Sequence, residues 1–192
     1  MNYPELLIIR HGETRWNFEG RMQGALNSDL TEHGQEQARG LNTLLRRASL
    51  TPAHSAWCSP QGRAQQTAKL ALHGHFSDWT TDARLAEVSV GAYEGLLFED
   101  VMAEHTQNHP EDGPFDWQFH APGGESWDDF HGRIESWLAE LSGPAVVVTH
   151  GITSRVMRMI ALGLKREAVA DLPGGQGIIH RIRDGQADIL AP

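Results

Sequence analysis

Histidines and arginines recur in this sequence where apolar runs stop, and that placement suits the handling of a phosphate. Leu6-Leu7-Ile8-Ile9 leads into Arg10-His11-Gly12, and Ala145-Val146-Val147-Val148 leads into Thr149-His150-Gly151. A third run, Ala53 to Cys58, leads into Ser59-Pro60 and then Arg63. A phosphate dianion favours bidentate arginines. Phosphoryl transfer also needs a nucleophile in line with the leaving group and electrostatic cover for the oxygens. Histidine attacks only when neutral, a form its unperturbed pKa of about 6.5 makes available near neutrality. An alkoxide leaves badly, so a positioned acid is worth about 10²–10⁴-fold. Glu13, Glu87 and Glu94 are the carboxylates that the sequence nominates for it.

These residues converge only if the runs are neighbouring strands. Short apolar runs suit strands buried on both faces of a parallel sheet, and ligands of such sheets bind outside the strands' carboxyl ends. Helical patterns alternate with the runs. Thr31 can cap a helix whose apolar face is Ala38, Leu41, Leu44 and Leu45. Ser59 as N-cap with Pro60 in the first helical position predicts a second helix, with Arg63 in its first turn. Ser126 with Asp129 resembles a capping box ahead of a stripe of Trp127, Phe130, Ile134, Trp137, Leu138 and Leu141. Another helix passes through Met157 and Ile160, and a β-pair follows Leu172 with Asp184-Gly185 at its turn. Between Leu85 and Pro122 the pattern predicts a loop with one short helix. The reading is a single α/β domain over residues 1–192, with a mostly parallel central sheet flanked by helices.

The formal net charge of −9 disfavours nucleic acid and anionic membranes as partners. No apolar run is long enough to span a bilayer, and Met1 to Ile9 reads as an opening strand rather than a signal peptide. The lone Cys58 fits a reducing cytoplasm and, beside Trp57, reads as a small buried hydrophobe. Lysine occurs only at positions 69 and 165, so any anion site must be built from arginine.

The motifs resemble those of the histidine phosphatase superfamily, the phosphoglycerate mutase-like family, over nearly the whole chain. The carriers are Arg10-His11-Gly12-Glu13-Thr14 with Trp16-Asn17, Arg21, Gln23 and Gly24, then Leu30-Thr31, Gly34 and Gln37-Ala38. Ser59-Pro60 with Arg63-Ala64 and Thr67 follows, then Leu85-Ala86-Glu87 with Gly91 and Glu94-Gly95. Pro122-Gly123-Gly124-Glu125-Ser126 and Val148-Thr149-His150-Gly151 complete the order, which is highly specific. Asn27 and Asp29 depart from the common aspartate and proline, which touches loop geometry rather than chemistry.

The resemblance implies that His11 becomes phosphohistidine, while Arg10, Arg63 and His150 hold the equatorial oxygens. It implies Asn17, Gln23 and Gly151 as further phosphate or substrate ligands, with Gln23 equally readable as a loop-stabilising hydrogen bonder. It implies Glu87 as the acid and then the base, and a reaction without metal or organic cofactor. The substrate class is a small phosphate monoester, and α-ribazole phosphate is one specific form of it. The runner-up is a cofactor-dependent phosphoglycerate mutase. Family mutases carry a basic insertion after the acid, whereas this chain has no Lys or Arg between Arg84 and Arg133. A non-enzymatic phosphate-binding module ranks last, since binding alone requires neither nucleophile nor acid. Assembly into a homo-oligomer stays open.

The remaining histidines, His33, His54, His73, His75, His120, His131 and His180, read as structural or solvated. His105 and His109 lie four apart on one helix face but lack an evident third ligand, so an exposed polar face is the expectation there. Glu125 and Ser126 read as a helix start. The segment from Leu96 to Pro122 is expected over the pocket. Its acidic side chains Glu99, Asp100, Glu104, Glu111, Asp112 and Asp116 would repel a second anionic group there. Its aromatics Phe98, Phe115, Trp117 and Phe119 would either stack on a flat leaving group or pack inward.

Overall fold

The apolar runs become adjacent strands. The computed structural model describes residues 3–113 and 115–192. The strands are β1 (Leu6–Arg10), β2 (Ser55–Cys58), β3 (Thr80–Thr81), β4 (Ala145–Thr149), β5 (Ile179–Arg183) and β6 (Gln186–Leu190). They form one sheet in the order β3-β2-β4-β1-β5-β6. The first four strands of that order run parallel, and β5 and β6 pair antiparallel at the β1 edge.

The helices are α1 (Arg15–Phe18), α2 (Glu32–Arg47), α3 (Gly62–Ala71), α4 (Phe98–Asn108), α5 (Trp127–Glu140) and α6 (Gly151–Ala161). Alternation along the central strands divides them between two layers. Leu7, Ile9, Val146 and Val148 pack with Leu41, Leu44 and Leu45 of α2 and Ala64 and Ala68 of α3. Leu6, Ile8, Ala145 and Val147 pack with Phe130, Ile134 and Trp137 of α5 and Val156 and Met157 of α6. Because both faces are covered, a slip by one residue would exchange the two layers, and the shapes of the facing helices fix the register. Cys58 lies in the first layer, and burial pushes its thiol up to about 12, so it behaves as a hydrophobe. No helix among the described residues is long and apolar enough to cross a membrane.

Helix starts follow the sequence signals with one exception. The Thr31 hydroxyl accepts from Gly34 N at 3.0 Å, and Ser126 Oγ accepts from Asp129 N at 3.2 Å. Asp184 and Gly185 turn the β5–β6 hairpin with φ of 53° and 71°, as an Asp-Gly pair favours. The Ser59-Pro60 signal misplaces its helix by two residues: Gln61 is the N-cap of α3. Ser59 is drawn instead into a 2.7 Å contact between its Oγ and His150 Nε2, and Asn27 Oδ1 caps the helix by accepting from Arg63 N at 2.8 Å. The polar stretch after β1 is also not all loop, since Thr14 and Asn17 form a capping box around the single turn of α1.

Candidate active site

The order β2-β4-β1 brings the three polar strand ends together. His11 follows β1 and is 3% exposed. Its Nδ1 lies 2.8 Å from the Gly12 carbonyl oxygen. A carbonyl only accepts, so Nδ1 carries the proton and Nε2 keeps its lone pair. Arg63 Nε donates to that lone pair at 3.2 Å. Burial, with Arg63 and then Arg10 behind it, holds His11 well below the ordinary imidazole value. The ring is therefore neutral and has one nucleophilic nitrogen.

Arg63, in the first turn of α3, is 1% exposed, and burial lowers it to about 10. Its Nη1 and Nη2 donate to the Leu26 and Gly24 carbonyls at 2.5 and 2.9 Å, which orients the fork and leaves two of its five protons for a ligand. Arg10 Nε is buried without a hydrogen-bond partner, and burial lowers the group, opposed by Glu87. The Arg10 guanidinium reaches over Gly151, where a side chain's Cβ would stand 3.4 Å from it. His150 caps α6 and is fully buried, with its ring 5.2 Å from that of His11. Burial, then Arg63, His11 and Arg10, hold it well below the ordinary value.

Of the three nominated carboxylates only Glu87 lines the cavity. The amides of Ile152 and Thr153, in the first turn of α6, each donate to it at 3.0 Å, and Thr153 Oγ1 donates at 2.9 Å. A helix N-terminus is a favourable seat for a carboxylate. Glu13 accepts from the Thr31 hydroxyl, and Glu94 accepts from Ala25 N and the Ser89 hydroxyl, so both serve as clamps between loops. Glu125 does more than precede a helix. It pairs with Arg133 at 2.7 Å, and Arg133 donates to the Arg84 and Glu87 carbonyls at 2.6 and 3.3 Å, which steadies the Glu87 segment.

Arg10, His11, Arg63 and Glu87 share a cavity of about 250 Å³, also lined by Asn17 and Gln23, whereas the expected ligands His150 and Gly151 do not line it, His150 being fully buried behind His11. Asn17 Oδ1 is engaged by Thr14 N and Gln176 Nε2. Gln23 is buried, and its Oε1 has no partner. The rest of the lining is apolar at Met22, Val88, Val90, Phe98, Trp117 and Ile152 and polar at Arg21 and Gln118. The Leu96–Pro122 segment thus contributes two of its aromatics, while Phe115 and Phe119 turn inward, Phe119 against Trp127 and Phe130. The expectation of an acidic lid is corrected. None of its acidic side chains lines the cavity, and two of them are engaged elsewhere, Asp116 with Arg166 and Asp112 with His105 and His120.

Gln176 and Gln61 carry no sequence signal of their own, whereas Thr67 belongs to the motif that begins at Ser59. Gln176 Nε2 donates to the His11 carbonyl at 3.1 Å and to Asn17, and the surrounding Gly174, Gly175 and Gly177 were the available cue to a close approach. Gln61 bridges the Gly24 carbonyl and Glu87 N at 2.8 and 2.7 Å. Thr67 Oγ1 accepts from Gly12 N at 3.0 Å and ties α3 to the His11 turn.

Residues 6–187 match the model of the histidine phosphatase superfamily (branch 1). The chain belongs to this superfamily. Among its relatives in the superfamily is phosphoserine phosphatase 1 of Hydrogenobacter thermophilus, 32% identical over 83% of this chain and 77% of that protein. A probable phosphoglycerate mutase of Salmonella choleraesuis is 31% identical over 83% of this chain and 75% of its own length. The crystal structure of a putative α-ribazole-5'-P phosphatase from Escherichia coli superposes with a TM-score of 0.80 at 30% identity, covering 98% of this chain and 95% of that one. The α-ribazole phosphatase from Shigella flexneri gives 0.81 at 30% identity, covering 98% and 96%. These phosphatases and the probable mutase thus stand at similar identities to this chain.

Proposed function

We propose that this member of the superfamily hydrolyses small phosphate monoesters through a phosphohistidine on His11. The observation that carries the reading is the fixed tautomer of His11, a neutral imidazole with its Nε2 lone pair beside Arg63. The 3.2 Å contact from Arg63 Nε is long, so an arriving phosphoryl oxygen exchanges for it readily. Arg10, which lines the cavity with an unused Nε, supplies a further donor for the phosphoryl group, and His150 stands beside the His11 ring with its Nδ1 unpartnered. The ester brings a proton into the cavity as its monoanion, and Glu87 relays that proton to the leaving oxygen. His11 Nε2 forms its bond to phosphorus as the ester P–O bond breaks, and the leaving oxygen takes the proton from Glu87. Glu87 then takes a proton from water, whose oxygen displaces Nε2 from phosphorus and releases inorganic phosphate. The Ile152 and Thr153 amides hold Glu87 in place through both steps.

Phe98 and Trp117 in the wall offer a face on which a flat leaving group can stack, with Arg21 also in the lining. The cavity volume is below the roughly 300–1,000 Å³ of drug-sized sites, which suits a metabolite and not a polymer. Aryl and nucleoside-like esters, of which α-ribazole phosphate is one, meet this description. Rapid quenching of the wild type with an aryl phosphate is expected to trap an acid-labile, alkali-stable phosphoprotein, and His11→Ala is expected to abolish both it and turnover. Retention of most activity by His11→Ala would sink the mechanism. Assay of 3-phosphoglycerate in the same series separates the mutase, which would return the isomer in place of phosphate.

A further inference from the structure

We propose that His105, Asp112 and His120 form a zinc-binding site that staples α4 to the loop walling the cavity. His105 was expected on an exposed polar face. It is instead turned inward, with its side chain 4% exposed. Both of its ring nitrogens are buried and make no hydrogen bond, which few native side chains tolerate. Asp112 Oδ2 stands 3.0 Å from His105 Nε2 without the angles of a hydrogen bond, and the same oxygen contacts His120 Nδ1. His109, the expected partner of His105, is thus not in the set, and the two other ligands, Asp112 and His120, come from the segment after α4.

The three ligand atoms lie within 4.8 Å of one another. Zinc bonds nitrogen at about 2.0–2.1 Å and carboxylate oxygen at about 2.0–2.2 Å, so small side-chain rotations bring these atoms onto one ion. Two imidazoles with one carboxylate select a borderline ion such as zinc over magnesium or calcium. His109 stacks on His105 with ring centroids 4.9 Å apart and stands 5.2 Å from His120, so the site is packed on that side by a further imidazole. The consequence reaches the cavity wall. Phe98 opens α4, Trp117 lies between Asp112 and His120, and the two rings meet edge to face at 5.8 Å. An ion on these ligands would hold that wall while touching none of the groups assigned to the chemistry.

The test uses the full chain without a histidine tag, stripped by a chelator and titrated with Zn²⁺ against a chromophoric competitor. One saturable site in the micromolar range or tighter is expected. Asp112→Asn and His120→Ala are expected to weaken it by about 10–100-fold or more, while His11→Ala leaves it unchanged. His120 is 42% exposed, so its variant keeps the fold even where His105→Ala does not. Zinc is expected to raise the thermal midpoint of the wild type and not that of His120→Ala, and to lower KM with kcat held within about twofold. Absence of saturable binding would leave a hydrogen-bonded triad in place of a metal site. Binding indifferent to Asp112→Asn and His120→Ala, or lost in His11→Ala, would put the ion elsewhere. Each of these results overturns the proposal, and none depends on whether the chain is a phosphatase.

Discussion

At the scale of single residues, what sets Glu87 apart from Glu13 and Glu94 is position. Glu13 and Glu94 are occupied by loop contacts, whereas Glu87 faces the cavity from the start of α6. Glu87→Gln is expected to cost about 10²–10⁴-fold in kcat/KM for an alkyl phosphate and far less for a nitrophenyl ester, whose oxygen leaves without a proton. Parallel steady-state assays of the two esters check this, and equal losses would assign the proton to another group. His11, Arg10, Arg63 and His150 were legible because each stands at the end of an apolar run or in the first turn of the helix that follows. Gln176 was not, since it contributes through an approach across 165 residues of chain, with no local pattern.

At the scale of elements, the turn after β1 is seated on the first turn of α2. The approach is so close that a Cβ on Gly34 would stand 2.0 Å from the Glu13 carbonyl oxygen, and one on Gly12 would stand 2.3 Å from the Gly34 carbonyl oxygen. Glycine to alanine in a helix ordinarily stabilises by about 1 kcal/mol. Gly34→Ala is expected to do the reverse here, destabilising by about 1–3 kcal/mol and lowering the thermal midpoint by roughly 2–4 °C for each of those. Because the displaced turn carries His11, turnover is expected to fall further than stability. Calorimetry paired with kinetics below the transition checks both, and a stabilised or fully active variant would contradict the close packing. Strands and long helices were readable from apolar periodicity, as in Ala145 to Val148 and in α2. The start of α3 was not, because Ser59 is claimed by His150 and an asparagine from a distant loop does the capping.

At the scale of the whole molecule, three buried histidines set how the protein meets acid. His11 and His150 sit well below the unfolded value near 6.5, and burial with Arg158 behind it takes His180 to about 4. Below about pH 6.5 the unfolded chain binds protons at these sites that the folded chain refuses, so stability falls as pH drops. Each group contributes a slope of up to about 1.4 kcal/mol per pH unit between the unfolded value and its own folded one, and the loss ends below the latter. Denaturant titrations from pH 7.5 down to about 4 are expected to show this decline beginning near 6.5. A His180→Gln variant is expected to have a shallower slope. A profile flat to about pH 5, where only carboxylates would titrate, would mean that the rings are hydrated in solution.

The position of β1 in the sheet has a consequence for how the protein is born. Of the six strands of the sheet, β1 leaves the ribosome first, yet it lies in the middle, flanked by β4 and β5, which follow much later in the chain. Leu6 to Ile9 must therefore wait, unpaired and apolar, for about 140 further residues. At about 5–20 residues per second this is a delay of several seconds or more. During it α2, α3 and β2 have no sheet to pack on, so nascent chains arrested before β4 are expected to be protease-sensitive and to recruit chaperones. The turn that carries His11 closes later still, when Gln176 reaches the His11 carbonyl, so a chain arrested before Gln176 holds that turn incomplete.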